Sequence, residues 1–245
     1  MNLVIDCGNT NMKFGFFVGK QLISSGSTVD DLFENIYAYK NEGHVFKALI
    51  GGSNHVEDDV YDELENYCTF ITEADNSMRF PIKIDYNSKN TLGFDRIANA
   101  VGAAFSFKER KMLIIDAGTA ITYDYVDRDG AFLGGNIAPG YTMRLNALHN
   151  MTELLPLVSI DEAKKEDAFC GKDTRTAIAN GVFSGVRFEV IGYTFYFLNK
   201  NPDGLVVVTG GDSDLVGDLI QRNVKIERNL GLIGMNTILN HNKFS

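Results

Sequence analysis

An α/β protein built from two similar domains is the fold class the sequence predicts, and three observations predict it. The stretch Ile5-Asp6-Cys7-Gly8-Asn9-Thr10 is echoed by Ile115-Asp116-Ala117-Gly118-Thr119, 110 positions further on, each time directly after an apolar run. Short apolar runs alternate with helical patterns through both halves. A length of 245 residues, 44% of them hydrophobic and only four of them proline, suffices for one large core or two. The period is far too long for a solenoid, so two domains facing one another across a cleft, residues 1–110 and 111–245, are expected, with a short hinge near Lys108–Met112.

The first half opens with three strands, "LVIDCG", "KFGFFVG" and "QLISSGST", the last two joined by a hairpin turn at "VGKQ". A helix follows over "DDLFENIYAYKN", with Leu32, Phe33, Ile36 and Tyr37 on one face and Asp30 near its N-cap. Next come the strand "FKALIGGS", an acidic helix in "EDDVYDELENY" and the strand "CTFITEA". "RFPIKIDYNSKNTLGFDR" reads as an irregular polar loop, long enough to suspect function, that runs into a helix of small residues, "IANAVGAAFSF".

The second half repeats the opening with the strands "MLIIDAG", "AITYDYVD" and "AFLGGNIAP", with a hairpin at "RDG". A helix at "MRLNALHNM" precedes a long helical stretch from Thr174 towards Asn199. The strand and glycine turn "LVVVTGGD" and the helices "SDLVGDLIQR" and "LGLIGMNTILN" complete the chain. "ALIGGS" and "VVTGGD" align as two apolar strands ending in a double glycine.

Composition excludes several functions. A net charge of −9 without any basic stripe argues against nucleic acid, so anions must be held by backbone N–H groups, helix N-termini and individual Lys or Arg residues. No apolar run approaches the roughly 20 residues that span a bilayer, and no basic segment leads into an apolar one at the N-terminus, so a cytoplasmic protein is expected. Three scattered cysteines argue against a disulfide framework, and the four histidines form neither a triad nor a metal-ligand pattern. Cys7, within the opening motif, reads either as a reactive thiol or as a small half-buried side chain on the turn.

The Asp-x-Gly turn between two strands suits a phosphate clamp. Glycine permits the tight turn, and successive N–H groups and the threonine hydroxyl then face phosphate oxygens. The aspartate can hold a cation or its waters there, and Lys13 can add positive charge near the terminal phosphate. A single copy is equally an Asx-type hairpin; two copies in equivalent places point to nucleotide. Neither a P-loop nor a GxGxxG turn occurs.

"TLGFDR" places Asp95 and Arg96 at a helix start. Arg96 can grip a carboxylate and Asp95 can accept a hydroxyl proton, or Asp95 simply complements the helix N-terminus. "GGNIAPG" is a close backbone approach to a ligand or a plain strand-to-helix connection. "GKDTRTAI" offers Asp173 or Thr174 as N-cap, with Lys172 and Arg175 nearby, and "TGGD" can seat part of a nucleotide.

Taken in order, "DCGNTNMK", "TLGFDR", "DAGTAIT", "GGNIAPG", "GKDTRTAI" and "TGGD" resemble type III pantothenate kinases, from Asp6 to about Asn236. These kinases belong to the superfamily of acetate and sugar kinases, Hsp70 and actin. The resemblance implies duplicated ribonuclease H-like (actin-like ATPase) domains, each a mixed sheet with flanking helices. It implies that Asp6, Cys7, Gly8, Asn9, Thr10, Asn11, Met12 and Lys13 bind ATP phosphates and that Thr119 contacts the nucleotide. Asp116 would ligate a monovalent cation, potassium or ammonium, with Mg²⁺ accompanying ATP. Tyr86, Gly93, Phe94, Asp95, Arg96 and Thr174 would line the pantothenate site, Asp95 as general base. A homodimer with the substrate pocket near its interface is implied as well. The chain departs from many relatives at Arg144, where they carry serine. Another small-molecule kinase of the superfamily, or an ATP-binding regulator without catalysis, are the rival readings; "TLGFDR" with "GKDTRTAI" separates pantothenate from the first, and Asp95 argues against the second.

Overall fold

The structure is a computed structural model that describes residues 1–8, 12–75, 77–163 and 170–242. The first sheet is formed by β1 (Asn2–Cys7), β2 (Met12–Val18), β3 (Gln21–Gly26), β4 (Phe46–Gly52) and β5 (Cys68–Glu73), in the order β3-β2-β1-β4-β5. β1, β2 and β3 make an antiparallel meander, and β4 and β5 add parallel strands. The second sheet comprises β6 (Met112–Ala117), β7 (Ala120–Val126), β8 (Phe132–Pro139), β9 (Leu205–Thr209) and β10 (Val224–Ile226), in the order β10-β9-β6-β7-β8. Matching β1 to β6, β2 to β7 and so on, the two orders are the same. The duplication heard in two short turns therefore extends over both sheets.

Register sharpens the match. Asp6 lies opposite Gly51 on β4, and Asp116 lies opposite Thr209 on β9. Gly51 is thus equivalent to Thr209 and Gly52 to Gly210, one residue away from the alignment that pairs the two double glycines. Conformation explains the slip, because Gly52 (φ +126°) and Gly210 (φ +93°) are the positions that need positive φ.

The helices are α1 (Val29–Asn41), α2 (Asp58–Glu65), α3 (Phe94–Ser106), α4 (Tyr141–Asn150), α5 (Ile160–Ala163), α6 (Thr174–Lys200), α7 (Ser213–Gly217) and α8 (Leu230–Asn242). A 3₁₀ turn at Lys89–Thr91 leads into α3. The α1 N-cap is Thr28, whose hydroxyl accepts the Asp31 N–H at 3.1 Å; Asp30 lies near it as expected, in the first turn with Asp31, where the helix dipole favours both. The helix expected over "SDLVGDLIQR" stops at Gly217, and the chain turns into β10, a strand too short to leave a periodic signal.

Contacts divide the chain into two compact units. One comprises Met1–Arg110, Val126–Gly134 and Asn229–Ser245; the other comprises Lys111–Tyr125 and Gly135–Arg228. In the first, Leu3, Ile5, Phe14 and Phe16 meet Leu32, Phe33 and Ile36 of α1 in the core, with Phe16 edge-on to Phe14 and Phe46. In the second, Leu113, Ile115, Val206 and Val208 pack with Val182, Val186 and Val190 of α6. α8, last in the chain, packs in the first unit against α3 at backbone distance. A Cβ on Gly234 would meet the Ala98 carbonyl, and one on Gly102 would meet that of Leu230. Among the described residues, no helix is long and apolar enough to cross a membrane.

Candidate active site

The first unit places Asp6 at the end of β1, in register with Lys13 on β2. Two glycines line its carboxylate. An ideal Cβ on Gly52 would stand 2.8 Å from Oδ1 and 2.4 Å from the Cys7 carbonyl oxygen; one on Gly231, in the first turn of α8, would stand 3.9 Å from Oδ2. The Asn54 N–H donates to the Cys7 carbonyl at 2.9 Å, closing the turn after β4. Gly8, Met12 and Lys13 are half-buried, whereas Asn9, Thr10 and Asn11 lie outside the described residues. Cys7 is buried, and burial, with Asp6 and Glu73 nearby, pushes its thiol up to about 11. Its side chain is core, and a nucleophilic role does not suit it.

The second unit repeats this arrangement around Asp116. A Cβ on Gly210 would stand 2.5 Å from the Asp116 Oδ1 and 2.3 Å from the Ala117 carbonyl oxygen, to which the Asp212 N–H donates at 2.9 Å. The Gly118 N–H donates to the Ala120 carbonyl at 3.0 Å, tightening the turn on which Thr119 stands exposed. Gly140, the last residue of "GGNIAPG", donates its N–H to the Thr119 carbonyl at 3.0 Å, and a Cβ there would collide with the Gly118 carbonyl oxygen. That stretch is therefore a close backbone contact with the turn itself.

A second group forms in the first unit around the start of α3. Gly93 is the N-cap and offers no side chain, so Asp95 folds back over it. The Asp95 Oδ1 accepts the Arg96 N–H at 2.9 Å, and the residue is half-buried. Phe94 lies over Gly51 of β4, where a Cβ would stand 2.6 Å from its ring. Arg96 is only 5% exposed, and its guanidinium carbon lies 5.9 Å from the Tyr86 ring centre and 5.6 Å from that of Phe132. The structure thus brings Tyr86, Gly93, Phe94, Asp95 and Arg96 together. Phe132 beside Arg96, and Gly231 beside Asp6 with the Asn99 amide oxygen facing it, belong to the first unit's groups without any motif to announce them. Each is one apolar, amide or glycine residue inside a regular element, and only the packing shows it.

Thr174 stands exposed in the first turn of α6, in the second unit. Asp173 is the N-cap and forms a capping box with Thr176: its Oδ1 accepts the Thr176 N–H at 2.9 Å, and the Thr176 hydroxyl accepts the Asp173 N–H at 3.2 Å. Arg175 is held by Glu162 at 2.7 Å and by the Leu157 carbonyl at 3.2 Å. Arg144 has a clear task. Its Nε donates to the Pro139 carbonyl at 2.7 Å and its Nη2 to Glu189 at 2.6 Å, and Glu189 also accepts the Tyr123 hydroxyl at 2.8 Å. It ties "GGNIAPG" to α6. Among the described residues, no group of three or more His, Cys, Asp or Glu could hold a metal ion.

Two sheets of one strand order, each carrying an aspartate–glycine turn at the end of its first strand and a positive-φ glycine beside it, define a duplicated, actin-like fold class. Solved structures of that fold include the activator of 2-hydroxyisocaproyl-CoA dehydratase from Clostridium difficile with bound ADPNP, at a TM-score of 0.55 and 14% identity, covering 99% of this chain and 95% of that one. A ROK family glucokinase from Streptomyces griseus, in complex with glucose and AMPPNP, aligns at 0.51 and 14%, covering 97% and 98%. Within the class, the chain belongs to the type III pantothenate kinase family, whose model matches residues 2–194. Type III pantothenate kinases of Bacteroides fragilis and Cytophaga hutchinsonii are each 37% identical to it, over 99% of this chain and 98% and 100% of theirs.

Proposed function

We propose that this chain transfers the γ-phosphoryl group of ATP to pantothenate, giving 4'-phosphopantothenate, the first step of coenzyme A biosynthesis. The observation that carries this reading is "TLGFDR" at the first turn of α3, where a half-buried carboxylate and a buried guanidinium sit on adjacent residues. Pantothenate offers one group for each. Arg96 binds its carboxylate, beside Tyr86, and Asp95 accepts the proton of its primary hydroxyl as the oxygen attacks phosphorus. Gly93 and Phe94 shape the floor of that site, and Thr174 adds a hydroxyl. The repeat of residues 1–110 and 111–245 supplies the two phosphate turns.

Asp6, Gly8, the stretch Asn9–Met12, Lys13 and Thr119 are assigned to the nucleotide, Cys7 contributing backbone only. Mg²⁺ accompanies ATP, and a monovalent cation, potassium or ammonium, is assigned to Asp116. The glycine cradles fit such ions: Gly52 with Gly231, and Gly210, leave the space around each carboxylate that a side chain would fill. With no group of three or more His, Cys, Asp or Glu among the described residues, such an ion would take its remaining ligands from water or other oxygens. When bound, the ions neutralise charge on the phosphates during a loose, in-line displacement. Lys13 adds positive charge there, and Asp6 and Asp116 hold their carboxylates on stiff strand ends.

A cytoplasmic homodimer with its substrate pocket near the interface belongs to the same proposal. The exposed strip Phe188, Ile191, Phe195 and Tyr196 on α6 supports a dimer, being apolar and lying on one helical face. Measuring ADP formation with and without pantothenate, in potassium and then in sodium buffer, tests the reading. Pantothenate-dependent ADP formation that is stronger in potassium is expected; no dependence on pantothenate with either cation sinks it.

A further inference from the structure

We propose that Phe132 is a positioning residue for substrate binding, holding the Arg96 guanidinium through its ring and the Tyr86 segment through its backbone. The inference rests on the assignment of Arg96 to the substrate carboxylate. Phe132 is fully buried at the start of β8, 36 positions after Arg96 in the chain, and belongs to the same compact unit. Its N–H donates to the Lys83 carbonyl and its carbonyl accepts the Asp85 N–H, both at 2.9 Å. Ile84 and Phe132 thereby form a parallel bridge, an isolated piece of sheet inside an otherwise irregular loop. The clamp delivers Tyr86, whose ring centre lies 6.0 Å from that of Phe132 at 58°. Gly134, two residues on at φ +101°, lies beside the same ring: a Cβ there would be in ordinary contact with Tyr86 at 3.7 Å, so the backbone conformation, not space, calls for glycine.

The arginine is therefore within cation–π reach of two rings fixed to one another by main-chain bonds. A guanidinium resting beside two fixed rings is pre-aligned for bidentate contact with a carboxylate, and it loses less freedom when substrate arrives. Backbone clamp and ring are separable by chemistry. Any residue but proline keeps the two hydrogen bonds, whereas only an aromatic face acts on the cation.

The test replaces Phe132 site-specifically with mono-, di- and trifluorophenylalanine, which drains the ring face of negative charge while keeping its shape. Pantothenate KM should climb stepwise, roughly tenfold across the series, with kcat, ATP KM and melting temperature unchanged. Phe132→Leu should raise pantothenate KM in the same direction. Arg96→Ala is the control that separates the two ideas. A flat fluorine series alongside an Arg96→Ala variant with greatly raised pantothenate KM overturns the role of Phe132 alone. An Arg96→Ala variant with unchanged KM overturns the assignment of Arg96, and this inference with it. Parallel loss of both substrates' KM values and of melting temperature would make Phe132 a packing residue only.

Discussion

Asp95 and Arg96 are neighbours in sequence with opposite surroundings, one half-open and one buried, and that difference suits the tasks proposed for them. A general base must meet the substrate proton, whereas a carboxylate grip gains strength from exclusion of water. Asp95→Asn keeps size and N-terminal position but removes the base. Steady-state kinetics should show kcat lower by roughly 10²–10⁴-fold, while calorimetry shows ATP binding unchanged. Near-normal turnover would remove Asp95 from the chemistry. Gly52 and Gly210 make a second residue-level case, since each combines positive φ with a Cα pressed against backbone. Alanine at either should cost at least roughly 1–3 kcal/mol from the backbone conformation alone, read as a fall in melting temperature. ATP affinity should fall too, because the new methyl enters the space beside Asp6 or Asp116. The double glycines are visible in sequence, but which of each pair takes positive φ depends on strand register and becomes visible only in the sheet.

At the scale of elements, the apolar runs and caps were largely legible, and the failures have physical causes. β10 has three residues and one half-buried side chain, too little for a pattern of period two. Asp30 does lie near the α1 N-cap, and the hydrogen bond to the Asp31 N–H identifies Thr28 as the capping residue itself. Phe132 was invisible as a site residue because a phenylalanine at the start of an apolar strand reads first as core. The start of α6 carries a prediction of its own. Glu162 accepts the Ser159 N–H, pairs with Arg175 and accepts the Ser159 hydroxyl, which together lower its carboxyl from 4.5 to about 2. A depressed folded-state value gives stabilisation that is complete above the unfolded value and lost as pH falls through the folded one. The Glu162–Arg175 tie should hold from neutral pH to about 4.5 and loosen between about 4.5 and 2. Carbon-detected NMR titration of the Glu162 carboxyl checks this; a midpoint near 4.5 would mean that the tie does not form.

For the molecule as a whole, the repeat and the compact units divide the chain differently. The two sheets are copies in consecutive halves, yet α8 from the second half packs in the first unit, against α3. Gly234→Ala tests that packing, since its methyl would run into the Ala98 carbonyl and push two helices apart. A loss of about 1–3 kcal/mol in chemical denaturation is expected. ATP affinity should weaken with it, because Gly231, one turn earlier on α8, lines the Asp6 carboxylate. Unaltered stability would mean that the helices part at little cost.

The placement of α8 also bears on how the chain is made. A ribosome delivers residues from the N-terminus, and domains commonly fold as they emerge. Here the unit that begins first ends last: everything in Lys111–Tyr125 and Gly135–Arg228 has been translated before Asn229 appears. The second unit can therefore close on the nascent chain while α3 still shows its bare glycine and alanine flank to solvent or a chaperone. Only the final stretch covers that flank and sets Gly231 beside Asp6, so the aspartate–glycine turn written first in the gene is the later of the two to be finished.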